Sequence, residues 1–307
     1  MAQVWMDYDR SEVEEVVGPL PDGLTYARYD GEHEPDGIEE VEFYVPPYFG
    51  PADPALVTRM PALKVVQAPS AGVDHLLPHV PADVALCRAA GVHDPGTAEL
   101  ALGLLLAAQR DFPRWFAQQQ RREWDQFNGG PSVADRRVLI IGYGSIGQAI
   151  HRRLDGFECD VVPVATTART GPYGAVHGVD ELPSLLPDAD VVIIVTPLTP
   201  STEGLVDAAF LAALPDGALL VNVGRGKVVD TDALLAEVTS GRLRAALDVV
   251  DPEPLPADHP LWTAPGTIIT PHVAGGTTAM RPRLFRIIEE NLRRYVAGEP
   301  PVHAVER

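Results

Sequence analysis

R-R-V-L-I-I-G-Y-G-S-I-G-Q-A-I-H-R-R-L, residues 136–154, decides the fold. V-L-I-I is an unbroken apolar run short enough for a strand buried on both faces. G-Y-G-S-I-G follows it directly, and Q-A-I-H-R-R-L continues as a helix. In that context Gly142 permits the tight turn, Gly144 lets an anion approach the backbone, and Gly147 lets the helix pack close to its strand. Ser145 and Ile146 stand at the helix start, where free N–H groups and the positive end of the dipole favour phosphate. A G-x-G-x-x-G alone is weak. Set between a strand and a helix, Gly142, Gly144, Ser145, Ile146 and Gly147 are expected to bind the pyrophosphate of a dinucleotide.

Working outward, the same pattern repeats on both sides. D-V-V-P-V, D-V-V-I-I-V, A-L-L-V-N-V, R-A-A-L-D-V and T-I-I-T follow, with helical stretches between them. Upstream, V-W-M-D-Y, L-T-Y-A-R-Y, V-E-F-Y-V, L-K-V-V-Q-A and V-A-L-C-R-A alternate with helical segments. The chain therefore reads as α/β, with two doubly wound parallel-sheet domains. The cofactor domain, of Rossmann type, is expected at 101–271, inserted into a flavodoxin-like substrate domain of residues 1–100 and 272–307. The last helical stretch, R-P-R-L-F-R-I-I-E-E-N-L-R-R-Y-V-A-G, is expected to cross back onto the first domain.

Lys and Arg number 24 against 43 Asp and Glu, a formal charge of −19. Such a chain is repelled by nucleic acid and by anionic membranes, so neither is an expected partner. An anionic substrate then needs a local positive group. Cys87 and Cys159 stand in no metal-type spacing, which predicts free thiols, no metal site and a reducing compartment. The N-terminus carries acids by residue 7 and no apolar run of signal-peptide type, and the longest apolar run, Leu100 to Ala108, is too short to span a bilayer. A cytoplasmic protein is expected.

Three segments end strands of the cofactor domain. V-N-V-G-R-G places Arg225 just past one strand, L-D-V-V-D-P-E-P-L-P places Asp248 and Glu253 after the next, and T-P-H-V-A-G-G places His272 after the one beyond. In an open parallel sheet, ligands bind outside the carboxyl ends of the strands, so the three tips converge on the cofactor crevice. Taken singly, the residues read equally well as a surface arginine, a solvated acid and a capping histidine. Together they suggest a catalytic set.

The order G-Y-G-S-I-G, T-P-L-T-P-S-T, V-N-V-G-R-G, A-L-D-V-V-D-P-E-P-L-P, T-P-H-V-A-G-G resembles that of the D-isomer-specific 2-hydroxyacid dehydrogenases, including their glyoxylate/hydroxypyruvate reductase-like members. S-A-G-V-D-H-L, starting at Ser70, fits the same family's substrate loop. The resemblance runs from about Leu63 to the C-terminus. It implies reversible hydride transfer between NAD(P)H and a small 2-oxo acid, giving the D-2-hydroxy acid. Arg225 would grip the substrate's carboxylate and carbonyl, a role suited to its planar fork. His272 would protonate the carbonyl oxygen, and Glu253 would pair with His272 and orient its ring. Ala71 and Gly72 would offer backbone N–H groups to the substrate carboxylate. Asp248 would hold the nicotinamide carboxamide, and Thr196, Pro197, Val223 and Gly275 would line the cofactor.

Two departures qualify the likeness. NAD binding looks for an acid at the tip of the second strand, and Ala165 stands there, followed by Thr166, Thr167, Ala168 and Arg169; Asp160 lies at the strand's other end. Thr166, Thr167 and Arg169 can bind a 2′-phosphate instead, so NADP is expected to be preferred and NAD possible. The Glu253–His272 pair argues against the formate dehydrogenase branch, which uses a glutamine–histidine pair. Two alternatives stay open: a nucleotide-sensing binding protein on the same scaffold, and a dehydrogenase of another small anion such as phosphite. Finally, residues 111–127 carry Phe112, Trp115, Phe116, Trp124 and Phe127 at helical spacings, which predicts a homodimer through this arm.

Overall fold

Apolar runs of Val, Ile and Leu bury both faces of a strand only when a parallel sheet lies between two layers. In the computed structural model, which describes residues 2–48, 53–126 and 130–306, these runs build two such sheets. They belong to two compact units, Met1–His93 with Thr277–Arg307, and Asp94–Gly276. The second unit reaches beyond 101–271 at both ends. The helix that opens it begins at Asp94 and belongs to it whole, and the loop carrying His272 is tied back to Asp248 by hydrogen bonds.

The first unit contains β1 (Ala2–Met6), α1 (Arg10–Val17), β2 (Leu24–Arg28), β3 (Val41–Val45), β4 (Val65–Gln67) and β5 (Ala85–Cys87). Its strands pair in parallel in the order β2-β1-β3-β4-β5, the flavodoxin-like arrangement. Alternation along each strand feeds two cores. Val4, Met6, Phe43, Val45 and Val65 face one, and Trp5, Tyr44, Val66 and Leu86 the other. The C-terminal helix, Met280–Ala297, adds Met280, Leu284, Phe285, Ile288 and Leu292 to the first core, a stripe at helical spacing.

The second unit begins with α2 (Asp94–Gln109) and α3 (Phe112–Arg121), followed by β6 (Arg137–Ile141), α4 (Ser145–Leu154) and β7 (Asp160–Ala165). Then come β8 (Arg169–Gly171), β9 (Gly174–Gly178), α5 (Leu182–Leu185), β10 (Val191–Ile194) and α6 (Ala208–Ala213). It closes with β11 (Leu219–Asn222), α7 (Thr231–Thr239), β12 (Arg244–Leu247) and β13 (Thr267–Ile269). The sheet order is β13-β12-β11-β10-β6-β7-β9-β8, parallel throughout except for β8 against β9. The order reverses between β6 and β10, so the tip of β6 is the switch point at which such sheets bind ligands. Leu139, Ile141, Val192 and Ile194 face one core, and Val138, Ile140, Val191 and Ile193 the other.

The β8–β9 hairpin was not expected. Its strands are short and glycine-rich, and β8 is exposed over most of its length, so they lack the apolar alternation that marks a strand. In the arm, Phe112 and Phe116 pack edge to face yet remain 40% and 60% exposed, and Trp124 is 90% exposed. Trp115 instead donates its indole N–H to the Arg110 carbonyl at 2.7 Å. Phe127 lies outside the described residues. No helix among the described residues is long and apolar enough to cross a membrane.

Candidate active site

The glycine turn is shaped by close approach. Gly142 sits at φ +106°, and a Cβ there would stand 2.6 Å from the Val195 carbonyl carbon and 2.7 Å from the Thr196 nitrogen. A Cβ on Gly147 would meet the Gly142 carbonyl oxygen at 2.3 Å, so α4 can pack on β6 only through glycine. Gly144 caps α4, and a Cβ on it would meet nothing within 4 Å. Open space therefore faces the helix N-terminus, where a pyrophosphate needs it. Beside it lies a cavity of about 450 Å³ lined by Gly144, Ala165, Thr166, Arg169, Thr196 and Pro197, among others. The Thr196 hydroxyl is buried without a hydrogen-bond partner among the described residues, a polar atom suited to a polar ligand. These features fit a dinucleotide. Thr167 is exposed and does not line the cavity, and the Ser145 hydroxyl bonds the Asp94 carboxylate at 2.9 Å.

Arg225 leaves the tip of β11 on a turn built by Asn222. The buried Asn222 side chain donates to the Arg225 carbonyl at 3.0 Å and accepts from the Gly224 N–H at 3.0 Å. The Arg225 guanidinium donates to the Gly224 carbonyl at 2.9 Å and is half-buried. Gly226 is obligatory, because a Cβ there would lie 1.8 Å from the Val250 carbonyl oxygen. Val223 is buried in the core behind this turn.

The neighbouring tips carry the rest. Asp248, 2% exposed just past β12, accepts from the Thr270 hydroxyl at 2.6 Å and from the Val273 and Ala274 N–H groups at 3.0 Å each. Its carbonyl accepts the His272 N–H at 2.8 Å. This staple holds His272 at φ +50°, a left-handed conformation that few non-glycine residues adopt and that local bonds must enforce. The His272 Nδ1 meets Glu253 Oε1 at 2.6 Å. Both side chains are partly open to solvent, and the pairing leaves Nε2 for a substrate. Since β11, β12 and β13 are adjacent, Arg225, Asp248 and His272 leave three neighbouring strands at their carboxyl ends, with Glu253 joined to His272.

The model of the D-isomer specific 2-hydroxyacid dehydrogenase NAD-binding domain matches residues 102–274, more than half of the chain. The chain belongs to the D-isomer specific 2-hydroxyacid dehydrogenases. It is thus an oxidoreductase that works with a nicotinamide cofactor. The human glyoxylate reductase/hydroxypyruvate reductase is 34% identical over 248 residues, which covers 78% of this chain and 75% of that one. Among solved structures, the family member from Xanthobacter autotrophicus Py2, in complex with NADPH and MES, superposes with a TM-score of 0.83 at 32% identity, covering 99% and 98% of the two chains. The NADPH-dependent glyoxylate/hydroxypyruvate reductase of Sinorhizobium meliloti, in complex with NADP and sulfate, gives 0.84 at 29%, covering 100% and 98%.

Asn222 and Thr270 escaped the reading of motifs. Asn222 had a signal: it is a polar residue inside an apolar strand run, and a buried amide must be satisfied by something close. Ala71 and Gly72 lie in the other unit, on a turn in which the Ser70 hydroxyl donates to the Gly72 carbonyl at 2.6 Å. Gly275 follows the stapled segment directly.

Proposed function

We propose that this dehydrogenase reduces a small 2-oxo acid of the glyoxylate or hydroxypyruvate type to its D-2-hydroxy acid. The observation that carries the reading is the 2.6 Å Glu253–His272 pair on strand tips next to that of Arg225. When bound, the nicotinamide supplies the hydride. His272, its Nδ1 engaged by Glu253, presents Nε2 to give its proton to the substrate's carbonyl oxygen. Arg225 grips the carboxylate and the carbonyl. In the other unit, Ala71 and Gly72 keep the substrate-binding role that the resemblance gives their loop. The unit Asp94–Gly276 serves as the cofactor domain and the other as the substrate domain. Gly142, Gly144, Ser145, Ile146 and Gly147 serve the pyrophosphate. Thr196, Pro197, Val223 and Gly275 serve the rest of the cofactor. Asp248 acts mainly through the loop it staples, and its Oδ2, with one donor in place, keeps a lone pair for the carboxamide.

NADPH is the preferred cofactor in this reading, and NADH a possible one. Support comes from Ala165, which offers no carboxylate, and from Thr166 and Arg169 lining the cavity beside the fingerprint. Thr167 is placed less favourably than Thr166. The protein works in the cytoplasm as a homodimer joined by the arm, supported by two free cysteines and by the exposure of Phe112, Phe116 and Trp124.

The test is oxidation of NADPH and of NADH across a panel of 2-oxo acids, with Arg225→Ala as control. Glyoxylate or hydroxypyruvate should be turned over, more efficiently with NADPH, and Arg225→Ala should raise KM and lower kcat. No turnover of any 2-oxo acid would sink the reading; equal efficiency with NADH would remove the cofactor preference. A monomeric mass by light scattering would remove the dimer.

A further inference from the structure

Arg169 is only as useful as its position, and its position is built. It starts β8, three residues long and exposed over most of its length. A side chain on so short a hairpin has little to fix it unless the hairpin is itself anchored. β9 is tied to β7 in the sheet and buries Val176, whereas β8, which carries Arg169, is the edge strand paired to β9. Two further anchors hold this edge, and both end on Tyr143, the residue between the first two fingerprint glycines. The first is direct: Arg169 Nη2 donates to the Tyr143 carbonyl at 2.8 Å. The second runs through side chains. The buried Tyr143 hydroxyl meets His151 Nδ1 at 2.6 Å, and Tyr173, at the tip of the β8–β9 hairpin, stacks on the His151 ring at 4.4 Å and 24°. Gly171, between Arg169 and Tyr173, passes so near the Tyr143 ring that a Cβ on it would be 3.4 Å from Cε1.

The chemistry of the stack is consistent from end to end. Burial pushes the Tyr143 phenol up to about 12 and the His151 imidazole below its ordinary value. Both groups are then neutral, and in the tautomer with Nδ1 unprotonated the phenol donates to it. That tautomer carries its proton on Nε2, the side of Asp155, whose Oδ1 is 3.8 Å away. A neutral imidazole loses nothing by lying against the Tyr173 ring on its face and the tilted Tyr143 phenol at its edge. An α4 histidine, a fingerprint tyrosine and a hairpin tyrosine are thus joined into one unit that no step of the reaction uses.

We propose that Tyr143, His151 and Tyr173 are positioning residues that clamp the β8–β9 hairpin to the glycine turn, holding Arg169 where it meets a cofactor's 2′-phosphate. The inference rests on the reading of Arg169 as the ligand of that phosphate. The clamp acts on the selectivity between NADPH and NADH and leaves proton transfer at His272 untouched.

The experiment measures dissociation constants of NADPH and NADH on the full-length protein without any 2-oxo acid, by titration of nicotinamide fluorescence. Wild type is compared with Tyr173→Ala, Tyr173→Phe, Arg169→Ala and the double variant Tyr173→Ala/Arg169→Ala. Arg169→Ala should weaken NADPH roughly ten- to a hundredfold, the scale of losing a charge-assisted bond, with NADH unchanged. Tyr173→Ala should weaken NADPH about two- to tenfold, the range of a lost aromatic pair, again with NADH unchanged. Tyr173→Phe keeps the stack and should match wild type. In the Arg169→Ala background, Tyr173→Ala should cost nothing further, because the tyrosine acts through the arginine. If Arg169→Ala leaves the NADPH affinity intact, the reading of Arg169 fails and the clamp with it. If Arg169→Ala weakens NADPH but Tyr173→Ala does not, or weakens both cofactors equally, the clamp alone is refuted.

Discussion

Replacing Asp248 by asparagine removes one oxygen from a carboxylate that takes three hydrogen bonds, at 2.6, 3.0 and 3.0 Å, in a site only 2% exposed. Whichever way the new amide turns, its NH2 faces at least one donor from the His272 loop. If it replaces Oδ2, the Ala274 N–H loses its acceptor; leaving a buried donor unsatisfied costs about 1–3 kcal/mol. The other two bonds pass from charged to neutral, and since charge-assisted bonds are about twice as strong, each gives up roughly 1 kcal/mol. The sum is about 3–5 kcal/mol. For a unit of this size, each kcal/mol lowers the melting temperature by about 2–4 °C, so the variant should melt roughly 6–20 °C lower. Where it remains folded, the loop should no longer hold His272 at φ +50°, and an ångström of misplacement lowers kcat by about a hundredfold. Thr270→Val removes only the 2.6 Å bond and should give a smaller loss in both quantities. The assay is calorimetric melting alongside kcat on the best 2-oxo acid. An Asp248→Asn protein that melts within 2 °C of wild type and turns over normally would refute the staple, whatever the carboxylate does for the nicotinamide.

Other outcomes follow from the same geometry. His272→Ala should lower kcat by roughly a hundredfold or more with little change in melting, and Glu253→Gln, which keeps an acceptor but loses the charge, by less; steady-state kinetics decide. Gly226→Ala drives a Cβ into the Val250 carbonyl oxygen at 1.8 Å, so it should destabilise by about 1–3 kcal/mol or more and displace Arg225, seen as a lower melting temperature with a raised substrate KM. Burial holds the His151 imidazole below its ordinary 6.5, so as pH falls the unfolded chain takes up that proton first. The stability contributed by this neutral histidine, enclosed by Tyr143, Tyr173 and Asp155, is complete above pH 6.5 and is lost as the pH falls through the lowered value. Melting temperatures measured between pH 7 and 5 should fall more steeply for wild type than for His151→Gln.

Much of this site was legible because strand tips are legible. An apolar run buried on both faces cannot hide its end, and Arg225, Asp248 and His272 each stand within a few residues of one, so the sheet topology that aligns the strands also gathers the side chains. Glu253 was legible only through its neighbours, since it sits in a proline-rich loop that no periodicity describes. What stayed out of sight was whatever depends on orientation. Asp248 was read by the role its motif implies, yet its two oxygens hold the loop that carries His272, and nothing in L-D-V-V says where a carboxylate points. Arg169 was noticed, but the hairpin that carries it was not, because R-T-G and G-A-V-H-G lack both apolar alternation and length. His151 was covered only by the reading of Q-A-I-H-R-R-L as a helix, and Tyr173 by no reading at all. Their meaning lies in contacts between α4, the glycine turn and a hairpin distant from them in sequence. Aromatic stacking and buried hydrogen bonds of that kind leave no period in the chain, so residues proposed as catalytic can be named from a motif, while the contacts proposed to aim their neighbours are found only in the folded molecule.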